Sequence, residues 1–151
     1  MTAVLEHPEI TKPEMARVDD FYVAKVGIDN PQVRHFIDAY FRRMGISPQT
    51  HPLGIVWFAL CKDETIYCVV GIAMRGDGSV EITDIYAKPC KDGMRAADLV
   101  LDFFKALVDA KRIPYFVGVI LWNNKHGRKK FVNKFARDPA SVVCIYDGSN
   151  A

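Results

Sequence analysis

Hydrophobic and polar residues change their spacing several times along the chain, and each spacing predicts one kind of element. After Asn30-Pro31 the apolar residues recur at helical intervals, and this pattern stops before Gly45. Asn is a frequent N-cap, Pro suits the first helical position, and Gly often follows a helix. We therefore predict a helix over 31–44. The run 17–26 before it predicts a first strand.

Three runs rich in β-branched and aromatic residues follow this helix, and each predicts a strand. They are Leu53–Cys61, Thr65–Met74 and Ser79–Ala87. Short polar turns at 62–64 and 76–78 separate them. Because connections this short join antiparallel neighbours, the three strands are predicted to form a meander.

A strand, a helix and another strand are predicted next. A loop with Gly93 leads into a helix whose apolar stripe is wide, and Ile113–Trp122 is a nearly continuous apolar run. Such a run is typical of a strand buried on both faces, and a crossover through a helix makes it parallel to the preceding strand. A basic helix over Asn123–Phe135 and a last strand over Val142–Tyr146 complete the chain.

These elements predict an α/β fold with a central twisted mixed sheet and helices on both faces. We expect one domain over residues 17–151 after an extended arm over 1–16. Either the N-terminal arm or the second subunit of a homodimer is expected to cover the edge of the last strand.

Composition agrees with an ordinary globular protein of 151 residues, of which 50% are hydrophobic and 25% charged. No apolar run approaches the roughly 20 residues that span a bilayer. The first residues lack the features of a signal peptide, so we expect a cytoplasmic location and no membrane association. The four cysteines form no CxxC pair and the histidines are dispersed, so free thiols and no metal site are expected.

Three segments carry residues that are suited to catalysis or to ligand binding. They are Ser79–Ala87 (SVEITDIYA), Lys88–Ala97 (KPCKDGMRAA) and Asn124-x-x-Gly127-x-x-x-Phe131. Together with the order of elements, they resemble the GNAT superfamily of N-acetyltransferases over about residues 17–146. The resemblance implies an acyl-CoA N-acyltransferase fold, acetyl-CoA as cofactor, and an amine on a small molecule or a protein as acceptor.

The first segment resembles the family strand with an E-I-x-x-x-x-A pattern, which implies that Glu81 is the general base that deprotonates the amine. Asp84 is the rival base. A solvated glutamate on a half-exposed strand is the alternative interpretation of Glu81. The resemblance also implies that the backbone of Ile85, Tyr86 and Ala87 pairs with the pantetheine amides.

The second segment resembles the family loop that binds the pyrophosphate of coenzyme A through backbone N–H groups at a helix start. Asp92 stands where the family has a basic residue, and Arg95 replaces the central glycine. Lys88, Lys91 and Arg95 are expected to compensate as cations. A polar turn that only caps the helix is the alternative. The implied ligands are Lys91, Gly93, Met94, Arg95, Ala96 and Ala97.

The third segment implies that Asn124 approaches the pantetheine arm. Phe131 stands where family members often have the tyrosine that protonates the leaving thiolate, so another donor, water or no catalysis must follow. A phenylalanine packed under a helix is the structural alternative.

Three functions remain open from the sequence. The first is acetyl transfer from acetyl-CoA to a primary amine. The second is a non-catalytic GNAT-like binding or regulatory protein of the kind found in phage genomes. The third, and the least favoured, is nucleic-acid binding through the basic helix over 123–137. The cations of that helix are Lys125, Arg128, Lys129, Lys130, Lys134 and Arg137.

Overall fold

The computed structural model describes residues 17–18, 20–47, 50–120, 125–135 and 143–148. Their strands are β1 Arg17–Val18, β2 Phe21–Val26, β3 Val56–Lys62, β4 Thr65–Met74, β5 Val80–Ala87, β6 Phe116–Val119 and β7 Val143–Tyr146. Their helices are α1 Pro31–Met44, α2 Lys91–Asp109 and α3 Lys125–Phe135. The predicted N-terminal arm lies outside the described residues.

The described strands form one sheet of seven strands that follow one another in chain order. Strand β2 pairs antiparallel with β1 and β3, and β7 pairs antiparallel with β6. Strand β5 pairs parallel with β6, with Val80 opposite Phe116 and Ile82 opposite Gly118. The mixed sheet and the parallel crossover through α2 confirm the predicted α/β class.

The chain groups into two compact units, and three elements contribute to both. Unit 1 holds residues 1–71 and 85–100, and unit 2 holds 72–84 and 101–151. The ends of β4, β5 and α2 therefore belong to different units. A single domain over 17–151 stays a prediction.

Unit 1 is built around helix α1, whose ends are fixed by local hydrogen bonds. The Asn30 side chain accepts from the backbone N–H groups of Gln32 and Val33 at 2.9 and 3.3 Å. Gly45 ends the helix at φ +69°, which glycine adopts without strain. The apolar face of α1 is buried in one core cluster with residues of β2, β3, β4 and β5, namely Ala24, Val33, Ile37, Phe41, Trp57, Ala59, Cys61, Val69 and Tyr86.

Unit 2 has an aromatic core that joins its helices to β6 and β7. The Phe116 ring on β6 lies 5.5 Å from Phe135 on α3 and 5.7 Å from Tyr146 on β7, measured between ring centroids. The second half of α2 adds Phe104, 6.0 Å from Phe116. Burial of such rings supplies much of the stabilising energy of a small core. The apolar stripe predicted for α2 packs against these rings.

The first strand prediction was wrong in one respect, because residues 17–26 form two strands rather than one. Arg17 pairs with Tyr22 and Val18 pairs with Phe21, so the chain reverses between them. Asp20, the described residue between them, lies in a turn, and aspartate favours turns because its side chain hydrogen-bonds nearby backbone.

The predicted strand Leu53–Cys61 begins too early. Leu53 is fully exposed and Gly54 has φ +90°, a conformation outside the strand region, and β3 starts only at Val56. Likewise, the apolar run 113–122 is not buried on both faces throughout its length. Strand β6 covers only Phe116–Val119, and Val119 is 49% exposed.

None of the helices in the described part of the chain is both long and apolar enough to cross a bilayer. Within the same residues, no group of three or more His, Cys, Asp or Glu side chains is arranged to hold a metal ion.

Candidate functional site

The end of β5 and the turn into α2 lie together in unit 1, and they contain most of the predicted cofactor residues. Tyr86 points into the core and is 6% exposed, whereas Ile85 and Ala87 are half-buried. The Ala87 carbonyl accepts a hydrogen bond from Arg43 Nη2 at 3.1 Å. The last turn of α1 therefore supplies a cation to the backbone segment predicted to hold the pantetheine arm.

Helix α2 begins at Lys91, so most of the segment 88–97, which was predicted to hold a loop and a helix start, is helical. The Cys90 N–H donates to the Lys88 carbonyl at 2.8 Å, and this tight turn ends in the helix. Cys90 then acts as the cap, because its Sγ accepts from the Gly93 N–H at 3.4 Å and its carbonyl accepts from the Met94 N–H at 3.0 Å. The placement of Gly93 in a loop before the helix was therefore wrong.

Gly93 is required by the packing of this turn. A Cβ at Gly93 would lie 1.9 Å from the Lys88 carbonyl oxygen and 2.7 Å from its carbonyl carbon. Both atoms are backbone, so they cannot move aside as a flexible side chain would. The glycine therefore brings the first turn of α2 against the end of β5, which sets where the helix N-terminus lies.

Four charged side chains form the α2 charge cluster beside this turn: Asp20, Lys62, Asp92 and Arg95. Arg95 Nη2 lies 2.8 and 3.0 Å from the two carboxylate oxygens of Asp20 and 3.4 Å from Asp92. Lys62 Nζ lies 3.0 Å from Asp92 and 3.4 Å from Asp20. The Arg95 guanidinium also stacks 4.7 Å from the centre of the Phe21 ring.

The cluster neutralises the acidic residue that departs from the family pattern. The hydrogen bond from Lys62 holds the pKa of the Asp92 carboxyl below its usual value, and the bond from Arg95 does the same for the pKa of Asp20. In turn, the hydrogen bond to Asp92 raises the pKa of Lys62. Asp92 is therefore ionised but compensated, so it adds little net negative charge to the helix start.

The other predicted cofactor residues on α2 fall into two groups. Lys91 is exposed at the first position of the helix, where its ammonium can reach an anion in solvent. Ala96 and Ala97 are buried, at 0% and 8% exposure, so they pack the helix and can offer only backbone to a ligand. The Met94 side chain is half-buried. Lys88 lies behind the turn, with its ammonium 5.4 Å from the centre of the Tyr67 ring.

A histidine that sequence reasoning did not single out lies next to β5 in the same unit. His51 Nε2 lies 2.8 Å from the Tyr86 hydroxyl oxygen. Its ring packs edge-on to Trp57 at 5.0 Å and is stacked on Phe41 at 6.5 Å. No spacing in one sequence links His51 to Tyr86, 35 residues away.

The two predicted bases belong to unit 2. The Glu81 carboxylate lies 3.4 Å from Arg75 Nη1, and its side chain is 32% exposed. Asp84 is half-buried three residues further along β5. Thr83, between them, has a buried hydroxyl oxygen with no hydrogen-bond partner among the described residues. The role of either carboxylate as a base stays a prediction.

The structure describes Phe131 but not Asn124, so only the prediction for Phe131 can be compared with it. Phe131 is 4% exposed and packs against Phe135 with the ring centres 4.7 Å apart, as the structural interpretation of this residue expected. Asn124 lies outside the described residues, so its predicted contact with the pantetheine arm stays a prediction.

Comparison with known proteins identifies the fold. No family model matches the chain, and no curated protein sequence matches it significantly. Solved structures do. The PaiA N-acetyltransferase of Thermoplasma acidophilum, in complex with coenzyme A, superposes with a TM-score of 0.61 at 13% identity, over 84% of this chain and 98% of that one. The chain has the GNAT acyl-CoA N-acyltransferase fold.

Other GNAT structures are also similar to this chain. A GNAT-family acetyltransferase of Staphylococcus aureus matches with a TM-score of 0.61 at 8% identity, over 76% of this chain and 83% of that one. A GNAT-family acetyltransferase of Elizabethkingia anophelis with acetyl-CoA bound matches with a TM-score of 0.51 at 12% identity, over 78% and 75%. At such identities the likeness establishes the GNAT fold and leaves the reaction to the residues of the site.

Proposed function

We propose that this chain is an acyl-CoA-dependent N-acyltransferase that moves an acetyl group from acetyl-CoA to a primary amine. The junction of β5 and α2 carries the proposal, because Gly93 packs on the Lys88 backbone and brings a helix N-terminus to the end of a strand within a GNAT fold. Backbone N–H groups and the helix dipole favour an anion at such a place.

The residues present fit a diphosphate despite their departures from the family pattern. Lys91 is exposed at the helix start, and the two carboxylates of the α2 charge cluster are compensated by Lys62 and Arg95. Arg95 thus contributes by neutralising Asp20 and Asp92 rather than by filling the place of the missing glycine. The diphosphate of coenzyme A would lie on the first turn of α2.

The end of β5 would hold the pantetheine arm through its backbone. Bound acetyl-CoA would supply the activated acyl group as a thioester. Arg43 already donates to the Ala87 carbonyl, so it fixes the orientation of this last peptide of the strand. Positioning of the thioester against the amine accounts for a large part of the rate enhancement that such a site can give.

The test is calorimetric titration of the purified chain with acetyl-CoA and with coenzyme A, supported by thermal unfolding. We expect micromolar binding, and a ligand at 100 times its Kd should stabilise the native state by about 2.7 kcal/mol. Lys91→Glu should weaken binding about tenfold or more, equal to about 1.4 kcal/mol. Lys25→Glu is the matched control, because Lys25 is exposed on β2 in the same unit.

Binding without turnover would favour the second candidate, a non-catalytic GNAT-like binding protein. The observation that favours it is Phe131, which is buried against Phe135 and has no proton to give a leaving thiolate. Absence of heat and of stabilisation at millimolar acetyl-CoA would refute acetyl transfer and would favour a binding or regulatory protein that keeps the GNAT fold without the cofactor.

A further inference from the structure

His51 helps to tie the connection between α1 and β3 to the core of unit 1, against which Ile55 of the same connection also packs. Its neighbours Thr50, Pro52 and Leu53 are exposed, and Leu53 is fully so, whereas His51 is half-buried. A polar ring that enters an aromatic cluster needs a partner for its nitrogens, since an unsatisfied buried polar group costs about 1–3 kcal/mol. The Tyr86 hydroxyl, 2.8 Å from Nε2, is such a partner.

This hydrogen bond holds the imidazole in one orientation while leaving it able to change its charge. A tyrosine hydroxyl can donate to a neutral imidazole nitrogen and can accept from an imidazole N–H. The Tyr86 bond therefore survives when His51 takes up a proton, because the hydroxyl oxygen can accept from Nε2–H. Orientation by a hydrogen bond to one ring nitrogen is also how histidine bases are commonly positioned.

Tyr86 links this histidine to the reacting region of the proposed site. It is flanked by Ile85 and Ala87, whose backbone is expected to hold the thioester arm, and side chain and backbone of one residue cannot move independently. We propose that His51 is the general base that deprotonates the acceptor amine, with Tyr86 positioning its ring. This inference rests on the proposed acetyltransferase function.

The acetyl transfer moves two protons and replaces a C–S bond by a C–N bond. The ammonium group of the acceptor gives one proton to the His51 imidazole, and the neutral amine then attacks the thioester carbonyl. A C–N bond forms, the C–S bond breaks, and the sulfur leaves with its electron pair. The second proton of the nitrogen goes to that thiolate through water, and the imidazolium returns its proton to solvent. The products are the amide, coenzyme A and one released proton.

Several titratable and aromatic groups lie in or beside the aromatic cluster that His51 joins. Strand β3 contributes Trp57 and the buried Cys61 to the same core cluster, and burial raises the pKa of the Cys61 thiol to about 12. Strand β5 contributes Tyr86. Helix α1 contributes Tyr40, 4.9 Å from Tyr86 between ring centres. The helix also contributes Arg43, whose guanidinium lies 5.5 Å from the centre of the Tyr40 ring.

Three variants distinguish a role of His51 as a general base from a purely structural role. His51→Gln keeps a hydrogen-bonding group toward Tyr86 but cannot take up a proton. Tyr86→Phe keeps the ring and removes the hydroxyl. His35→Gln is the control, because His35 is exposed on α1. Each is assayed by loss of thioester absorbance with acetyl-CoA and a panel of primary amines, namely spermidine, a lysine peptide and a peptide with a free α-amine.

We expect His51→Gln to lower kcat/KM by about 10²- to 10⁴-fold, the usual contribution of a general base, with the Kd for acetyl-CoA within about twofold of wild type. The pH profile of kcat/KM should change in His51→Gln, because only the fraction of free amine then sets the rate, and it should keep its wild-type shape in His35→Gln. In the ligand-free protein, the NMR signal of the His51 ring, assigned by its loss in His51→Gln, should shift in Tyr86→Phe.

Each other result would overturn the proposal. If His51→Gln lowers the midpoint of thermal unfolding but leaves kcat/KM and its pH profile unchanged, His51 is a clamp. If wild type binds acetyl-CoA but acetylates none of the amines, the cofactor site stands and the base assignment fails. If acetyl-CoA does not bind at all, the proposed function itself fails, and calorimetry shows this before any rate is measured.

Discussion

Replacement of Gly93 by alanine is the perturbation whose outcome the structure defines most closely. The added Cβ would lie 1.9 Å from the carbonyl oxygen of Lys88, 2.7 Å from its carbonyl carbon and 2.9 Å from its nitrogen. All three atoms are backbone of the turn that joins β5 to α2. The methyl group therefore fits only if the turn and the first turn of the helix move apart.

The magnitude follows from two opposing effects. Forcing an extra carbon into a packed site costs about 1–3 kcal/mol, and contact with backbone on three atoms places Gly93→Ala near the upper end. Alanine recovers up to about 1 kcal/mol relative to glycine within a helix. We expect a net destabilisation of about 2 kcal/mol, which corresponds to a fall in Tm of about 4–8 °C for a chain of this size.

Urea unfolding followed by circular dichroism measures this change as a shift of midpoint at constant slope. Gly76→Ala is the control, since a Cβ there meets nothing within 4 Å. Coenzyme A affinity should also fall in Gly93→Ala, because the helix N-terminus moves away from the end of β5. A Gly93→Ala protein as stable as Gly76→Ala would refute the close packing on which the proposed cofactor site depends.

Three further predictions concern other contacts. Arg95→Gln should lower the unfolding midpoint but change coenzyme A affinity less than about threefold, because the guanidinium is bonded to Asp20. A tenfold loss of affinity by calorimetry would instead show that Arg95 binds coenzyme A directly. Asn30→Ala should cost about 1 kcal/mol in urea unfolding through loss of the α1 cap, and an unchanged midpoint would contradict this. Hydrogen bonds led by the Ser79 hydroxyl hold the pKa of Asp77 far below its usual value. The stabilisation by ionised Asp77 is therefore present above the pKa of aspartate in the unfolded chain, about 3.9, and is lost as pH falls below it. In Asp77→Asn, the unfolding midpoint should therefore depend less on pH below about pH 4 than in wild type.

Much of the fold could be predicted because local signals and tertiary packing agree. Helix α1 begins at Pro31 and ends before Gly45 as predicted, since cap, proline and glycine act within one turn. Strand β4 has the predicted bounds, Thr65–Met74. Boundaries failed where tertiary context decides. Leu53 is apolar and yet fully exposed, and hydrophobicity alone cannot show that.

The site was harder to predict than the fold, because its parts come together only in three dimensions. The departure at Asp92 was visible in the sequence, but its neutralisation depends on Lys62, 30 residues away, and on Arg95. Similarly, the role of Gly93 depends on a clash with Lys88 that is invisible until the turn is built. His51 carries no motif, and Tyr86 was expected to contribute only its backbone, so only the 2.8 Å contact reveals this side-chain pair.

The cap of helix α2 gives this chain a built-in chemical reporter. Of its four cysteines, Cys61, Cys68 and Cys144 are buried, and burial raises the pKa of both Cys61 and Cys68 to about 12, so these thiols resist alkylation. Cys90 is exposed at the helix start. A maleimide should therefore label one position without any engineered residue. A ligand that binds at the start of α2 should slow this labelling, so comparing the rates with and without a candidate ligand reports binding there.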